Sequence, residues 1–272
     1  MMRHPVASVV MGVYNCALTL ADSIRSILDQ EFGDFEFIIC DDGSTDATPD
    51  VLRAFAAKDP RIVLLRNERN MGLSCTLNRC IEASRGGYIA RMDGDDIARS
   101  DRLRRQVAFL ESRPDIDICG SSIALFDGSG VWGRIDYPEY PGASDFLLRS
   151  PFAHPTVVFR ASAVKAAGGY ACDPAVGRSE DYELFMRMYS RGVRGHNIQE
   201  YLLNYREELG SYRRRKFRYA LTEARVRFRG FRRLGLLPRG LLYVVKPILV
   251  GLMPKRIYTA ARTTAFGGGG AR

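Results

Sequence analysis

The chain has 272 residues, 46% of them hydrophobic and 26% charged, with a formal net charge of +9. That apolar share allows a sizeable buried core and excludes a disordered or fibrous chain. The charge is uneven: from Ser211 to Arg272 there are 16 Lys and Arg against one acid, Glu223, a net +15, so the first 210 residues carry −6. The high isoelectric point therefore belongs to the tail, which should seek a polyanion.

Met1–Pro5 is short and polar, and the apolar run Val6–Val13 enters a loop too soon to act as a targeting segment, so no signal peptide is expected. Val6–Val13 reads as a buried strand, Leu18–Gln30 as a helix and Phe35–Cys40 as a second strand ended by an acidic turn. Thr48 is an expected N-cap with Pro49 at the first helical position, opening a helix to about Lys58. A strand at Ile62–Leu65, a helix at Leu73–Ala83, a strand at Tyr88–Met92 and a helix at Arg102–Leu110 follow. Such alternation, joined by short polar loops, predicts an α/β fold: a Rossmann-like, mostly parallel sheet with helices on both faces. Beyond Ile116 the pattern loosens. Ser121–Phe126 and Val131–Ile135 read as a hairpin around Asp127–Gly130, Thr156–Phe159 as a strand, Ala161–Ala167 as a short helix and Glu180–Arg191 as a helix. The glycine run Gly267–Gly270 reads as a frayed end.

Cys16, Cys40, Cys75, Cys80, Cys119 and Cys172 form no CxxC pair and no cysteine–histidine array. They are expected to be small buried hydrophobes in a reducing compartment, not zinc ligands or disulfides.

Three acidic segments carry the chemistry. Asp41-Asp-Gly-Ser-Thr-Asp46 lies between a strand and a helix, where open α/β sheets bind ligands. An Asx-turn with a helix cap explains the same residues equally well. Asp93-Gly-Asp-Asp96 places three carboxylates within four residues after another strand. They repel one another unless solvent or a hard divalent ion such as Mg²⁺ or Mn²⁺ relieves them. No GxGxxG or GxxxxGK[ST] occurs, which argues against a dinucleotide dehydrogenase and a P-loop enzyme. A metal is the alternative way to hold a diphosphate. Glu180-Asp181 opens the Glu180–Arg191 helix; on spacing alone an ordinary helix start is favoured over a general base.

In order along the chain, Ser8-Val-Val-Met-Gly-Val-Tyr-Asn15, Asp41–Asp46, Tyr88-Ile-Ala-Arg-Met-Asp-Gly-Asp-Asp96 and Ser179-Glu-Asp-Tyr-Glu-Leu-Phe-Met-Arg187 resemble the family 2 inverting glycosyltransferases of the GT-A fold, of the bacterial surface-polysaccharide type. Asn67–Asn78 and His154–Arg160 also look like stretches common there, and the match runs over about residues 5–205. The resemblance implies nucleotide binding by Gly12, Tyr14, Asn15, Asp42 and Asp93, with the Asp42 carboxylate facing a base N–H. It implies Asp95 as the direct metal ligand, with Asp93 on the ribose or the metal, and Asp181 as the catalytic base. His154 and Glu180 are candidate contacts for acceptor or phosphate, a packed histidine being an equal reading of His154; His4 and His196 read as surface or structural. The implied reaction moves a sugar from a nucleoside-diphosphate donor, a UDP-sugar by expectation, to a hydroxyl of a glycan or lipid-linked acceptor. The processive synthases of the family carry Gln-x-x-Arg-Trp and several membrane spans. Here the only tryptophan is Trp132, so a single-addition enzyme is expected.

The tail interleaves Arg213–Lys216, Arg218, Arg225, Arg227, Arg229, Arg232 and Arg233 with apolar residues at nearly helical spacing, followed by the apolar stretch Leu241–Met253 broken by Pro247. That stretch falls short of the roughly 20 residues a span needs. It suggests a helix lying in an anionic membrane surface over residues 211–260, hence a cytoplasmic enzyme at the inner face of the membrane. Packing of a helix pair on the body is the alternative, and no nucleic-acid-binding motif accompanies the charge. The expected division is 1–210 for the transferase body and 211–272 for a basic helical extension. Two other functions compete: a nucleotidyltransferase, disfavoured because Gly12–Leu18 has no Lys or Arg, and a non-catalytic membrane- or polyanion-binding protein on the same fold.

Overall fold

The structure, a computed structural model, describes residues 4–208 and 217–252. Residues 1–3, the cationic run Arg213–Lys216, the expected 210/211 boundary, Met253 and Gly267–Gly270 lie outside the described residues. The strands are β1 (Ala7–Val13), β2 (Phe35–Asp41), β3 (Ile62–Arg66), β4 (Tyr88–Arg91), β5 (Ile97–Ala98), β6 (Ile118–Asp127), β7 (Gly130–Ile135), β8 (Val158–Arg160) and β9 (Gly195–Arg206). The α-helices are α1 (Ala17–Leu28), α2 (Thr48–Ala56), α3 (Leu73–Ala83), α4 (Arg102–Ser112), α5 (Ala161–Ala166), α6 (Glu180–Tyr189), α7 (Phe217–Arg233) and α8 (Leu241–Leu252).

One sheet runs in the order β3-β2-β1-β4-β8-β6-β9-β5, with β7 on β6. The pairings β3–β2, β2–β1 and β1–β4 are parallel. Strand β8 lies antiparallel to both β4 and β6, while β6 and β9 run parallel. Every residue of β2 is buried, as suits a central strand covered on both faces. Along β1, Ala7, Val9, Met11 and Val13 join the core that holds Leu20, Ile24 and Ile27 of α1, whereas Val10 joins Leu77, Cys80 and Ile81 of α3 on the other face. This two-residue alternation confirms helices on both faces.

The hairpin β6–β7 forms as expected. Helix α2 begins at Thr48 itself with Ala47 before it, one residue earlier than anticipated. The capping carboxylate is that of Asp46, which accepts the Thr48 amide at 2.9 Å. Thr48 Oγ1 instead accepts the Cys16 amide at 3.0 Å, joining the first two loops. Strand β9, twelve residues long, was not anticipated.

Helices α7 and α8 pack on this body. Val226 and Phe231 of α7 are buried in one core with Phe152 and Phe185, and Arg227 Nη1 donates to the Leu147 carbonyl at 2.9 Å. Among the described residues no helix is long and apolar enough to cross a membrane.

Candidate active site

Parallel strands end together, so the register Gly12↔Cys40, Val13↔Asp41 and Val10↔Arg91 brings three loops to one edge of the sheet. The loop after β1 is tied to the loop after β2: the Asn15 amide donates to Ser44 Oγ at 2.9 Å, and Asn15 Oδ1 accepts the Thr45 amide at 2.8 Å. Asn15 adopts φ 49° to do so. Gly43, at φ +74°, lies where a Cβ would meet the Arg69 carbonyl carbon at 2.8 Å, so only glycine fits. Asp41 Oδ1 accepts the Ser44 amide at 2.9 Å and Asp46 Oδ2 accepts the Ala17 amide at 3.3 Å. Those two acids serve the turn.

Asp42 is different. It is buried, and its Oδ1 accepts from Asn67 Nδ2 at 2.6 Å and the Met71 amide at 2.7 Å, while Oδ2 accepts the Gly72 amide at 2.9 Å. An ionised carboxylate offers about four acceptor positions, so one is left for a ligand N–H. The carboxylate lines a cleft of about 570 Å³ with Gly12, Tyr14, Gly72, Cys75 and Tyr219. Asn15 is outside that lining and holds its wall.

Beyond β4, oxygens of Asp93, Asp95 and Asp96 lie within 4.8 Å of one another. Asp96 Oδ1 accepts the Arg206 amide at 2.8 Å, and Arg206 Nε donates to the Asp95 carbonyl at 2.9 Å, strapping the loop to the end of β9. Asp96 Oδ2 is buried without a hydrogen-bond partner. Burial, then Asp93, raises the Asp95 carboxyl; burial, then Asp93 and Asp95, pushes Asp96 well up. A hard divalent cation fits this all-oxygen set, because it would supply the orphaned oxygen and offset the repulsion. Asp96 belongs to the expected acidic cluster, but the sequence singled out only Asp93 and Asp95 as ligands.

Asp93 also forms an ion pair with Arg91, which is buried at the end of β4. Desolvation works against the guanidinium's charge, but Asp93 outweighs it and the pKa is raised. A buried network holds this point: Arg102 Nη2 donates to the Arg91 carbonyl at 2.7 Å, and Gln106 Nε2 to the carbonyls of Cys119 and Thr156 at 2.9 and 2.8 Å. A cation inside the apolar strand pattern Tyr88–Met92 was the available signal for Arg91.

A second cleft, of about 500 Å³, is lined by Arg91, Asp93, His154, Glu180, Asp181 and Tyr205 among others. It meets the first at Leu73, Arg178 and Glu180. Burial raises Asp181; burial, then the Asp181 charge, takes Glu180 up to about 7. His154 Nε2 lies 2.6 Å from the Tyr170 hydroxyl, and burial with the nearby Arg91 holds its pKa well below the usual range, so the ring is neutral. His196 is structural, stacked at 4.2 Å on Phe109, and His4 is exposed.

Cys75 and Cys172 correct the cysteine expectation: they are disulfide-bonded, with Cα atoms 5.3 Å apart, and both line the first cleft. Helix α3 also binds this loop through Asn78, which donates to the Tyr170 carbonyl at 2.8 Å and accepts its amide at 2.7 Å. The partners are 97 residues apart in sequence, a contact that spacing does not reveal. Cys40, Cys80 and Cys119 are buried and free, and Cys16 is half-buried and free.

The profile of Glycosyl transferase family 2 matches residues 8–165. EpsE of Bacillus subtilis (strain 168) is 39% identical over 254 residues, covering 93% of this chain and 91% of EpsE. The UDP-Glc:alpha-D-GlcNAc-diphosphoundecaprenol beta-1,3-glucosyltransferase WfaP of Escherichia coli is 27% identical over 211 residues, 81% of this chain and 85% of WfaP. The crystal structure of S. aureus TarS 1-349 in complex with UDP-GlcNAc superposes with a TM-score of 0.69 at 17% identity, over 90% of this chain and 72% of that one, a likeness of GT-A fold. A profile spanning more than half the chain, and a relative matched over nearly its whole length, have one meaning: the chain belongs to glycosyl transferase family 2 and is a glycosyltransferase.

Proposed function

We propose that the enzyme transfers a sugar, with inversion, from a UDP-sugar to a hydroxyl of a glycan or lipid-linked acceptor during surface-polysaccharide synthesis. The observation that carries this reading is the junction of two clefts at one sheet edge. One holds Asp42 with a spare acceptor position, and the other holds Asp93 and Asp181 together. A base laid against Asp42 directs its diphosphate toward Asp93 and its sugar toward Asp181. WfaP, whose name specifies a UDP-sugar donor and a lipid diphosphate acceptor, supports the substrate classes.

Asp93, Asp95 and Asp96 would hold Mg²⁺ or Mn²⁺, whose charge would offset that gathering on the departing diphosphate. Gly12 and Tyr14 wall the nucleotide, and Asn15 fixes their loop. Asp181 takes the proton of the acceptor hydroxyl. The oxygen then attacks the anomeric carbon from the face opposite the nucleotide, and the bond to the diphosphate oxygen breaks with its electron pair leaving on the diphosphate. Inversion follows from the single displacement. Neutral His154 and Glu180 border the acceptor side.

The transferase body is assigned to 1–210 and the basic extension to 211–272, working at the cytoplasmic face of a membrane. Leu221, Phe228, Leu241, Leu242, Val245 and Leu249 are exposed on α7 and α8 among Arg225, Arg229 and Lys246, a composition that suits an anionic lipid surface. The test is a screen of nucleotide sugars with Mn²⁺, read by product formation and the anomeric configuration of the product. Transfer from a UDP-sugar with inversion, lost with a chelator, is the expected result. A retained configuration, or no turnover with any nucleotide sugar, overturns the reading.

A further inference from the structure

Of the three residues common to both clefts, only Arg178 carries a positive charge, and it is the only Lys or Arg lining the first cleft among the described residues. Its guanidinium lies 5.5 Å over the ring of Tyr219, on the first turn of α7. The preceding Gly177 adopts φ +59°, and a Cβ there would approach Thr222 Cγ2 to 3.0 Å. The turn carrying Arg178 is thus seated directly on the helical extension. Arg178 itself is exposed, while Asp42 and Asp173 make the rest of the first cleft's charge negative. A guanidinium bonds phosphate oxygens through paired N–H groups and can stack on an aromatic face at the same time.

We propose that Arg178 grips the diphosphate of the donor, and that Tyr219 of the C-terminal extension positions it. This rests on the assignment of the two clefts above. A donor with its base at Asp42 and its anomeric carbon near Asp181 must run its diphosphate across the boundary where Arg178 stands. Asp93 and Asp181 would repel that anion, and Arg178 supplies a countercharge. As the anomeric C–O bond breaks, the electron pair moves onto the diphosphate, so the contact strengthens during reaction. The extension thereby contributes to the donor site.

The test is calorimetric titration of the full chain, with Mn²⁺, by UDP, GDP and dTDP and by their parent nucleosides. Arg178→Ala should bind the cognate diphosphate roughly 10- to 100-fold more weakly, the loss of a charge-assisted contact, with nucleoside affinity unchanged. Arg178→Lys should recover part of the loss, and Tyr219→Ala should weaken the diphosphate in the same direction. Unchanged diphosphate binding by Arg178→Ala, while Asp42→Ala loses affinity in the same assay, overturns the assignment and leaves the nucleotide cleft standing. Equal losses for diphosphate and nucleoside also overturn it, because Arg178 would then be shaping the cleft. An unaffected Tyr219→Ala removes the positioning role. Absence of binding by the wild-type chain to all three diphosphates overturns the cleft assignment and this one with it.

Discussion

The half of the sheet made by β3, β2, β1 and β4 and the half made by β8, β6 and β9 hold their functional side chains by different means. On the first, the loops are short, parallel strands deliver them to one edge, and Asp42 receives three hydrogen bonds from protein donors. On the second, β8 runs opposite to its neighbours while β6 and β9 run parallel, and residues 136–157 and 167–179 run largely as turns and short helical pieces. Asp181 there depends on the first turn of α6, and His154 has one side-chain hydrogen bond, to Tyr170. Under the proposed function the contrast is a division of labour: the first half would be fixed for one class of ligand, whereas the second would leave the choice of acceptor to long connections.

The sharpest way to break this division is Asp181→Asn. Turnover should fall by roughly 10²–10⁴-fold, the usual worth of a general base, while calorimetry finds donor binding kept. Most of the turnover surviving would remove Asp181 from the chemistry.

Asp42→Ala should act on the other half. It strips acceptors from Asn67 Nδ2 and the Met71 and Gly72 amides, so stability should drop by about 1–3 kcal/mol for orphaned buried donors, read as a lower Tm together with weaker nucleotide binding. An unchanged Tm would mean the first half is less tightly fixed than its bonds suggest.

Leu242, 80% exposed on α8, tests the reach of the second half toward lipid. Leu242→Glu should reduce co-sedimentation with anionic vesicles by about tenfold, the worth of one apolar side chain, with turnover on a water-soluble acceptor unaffected. Equal sedimentation of both forms would discard the membrane surface.

The smallest effect concerns pH. Turnover should rise with pH as Asp181 loses its proton, and burial puts that rise above the ordinary aspartate range. Glu180, pushed up to about 7 by burial and then by the Asp181 charge, still carries its proton at that stage. Glu180→Gln should therefore leave the acidic limb of the rate profile where it is. A limb that disappears in Glu180→Gln would transfer the role of base to Glu180.

The legible part of the molecule was the part built locally. Asp42, Asp93 and Asp95 follow buried strands, where the apolar pattern itself announces the end of a strand, though their separate roles came from the family resemblance. Asp181 needed the family resemblance, because acids at a helix start are commonplace. The roles of Arg91, Asn67, Tyr170 and Arg178 and the pairing of Cys75 with Cys172 were not anticipated, because each gains its meaning from a partner on another element. Strand β9 escaped for a different reason: its residues His196-Asn-Ile-Gln-Glu-Tyr-Leu202 mix polar and apolar side chains without the two-residue period, and its register to β6 shifts twice.

Arg227 of α7 reaches into the body and donates to the carbonyls of Leu147 and Leu148, where Lys246 Nζ also donates at 3.0 Å. For anyone building chimeras, the basic extension is consequently not a cassette. Exchanging it with that of a relative would leave two backbone oxygens without donors and a hole where Phe231 sits, unless residues 143–150 travelled with it. Both segments line the second cleft through Arg149, Ser150, Glu223 and Arg227, so its shape in such hybrids should follow the pair together, never either one alone.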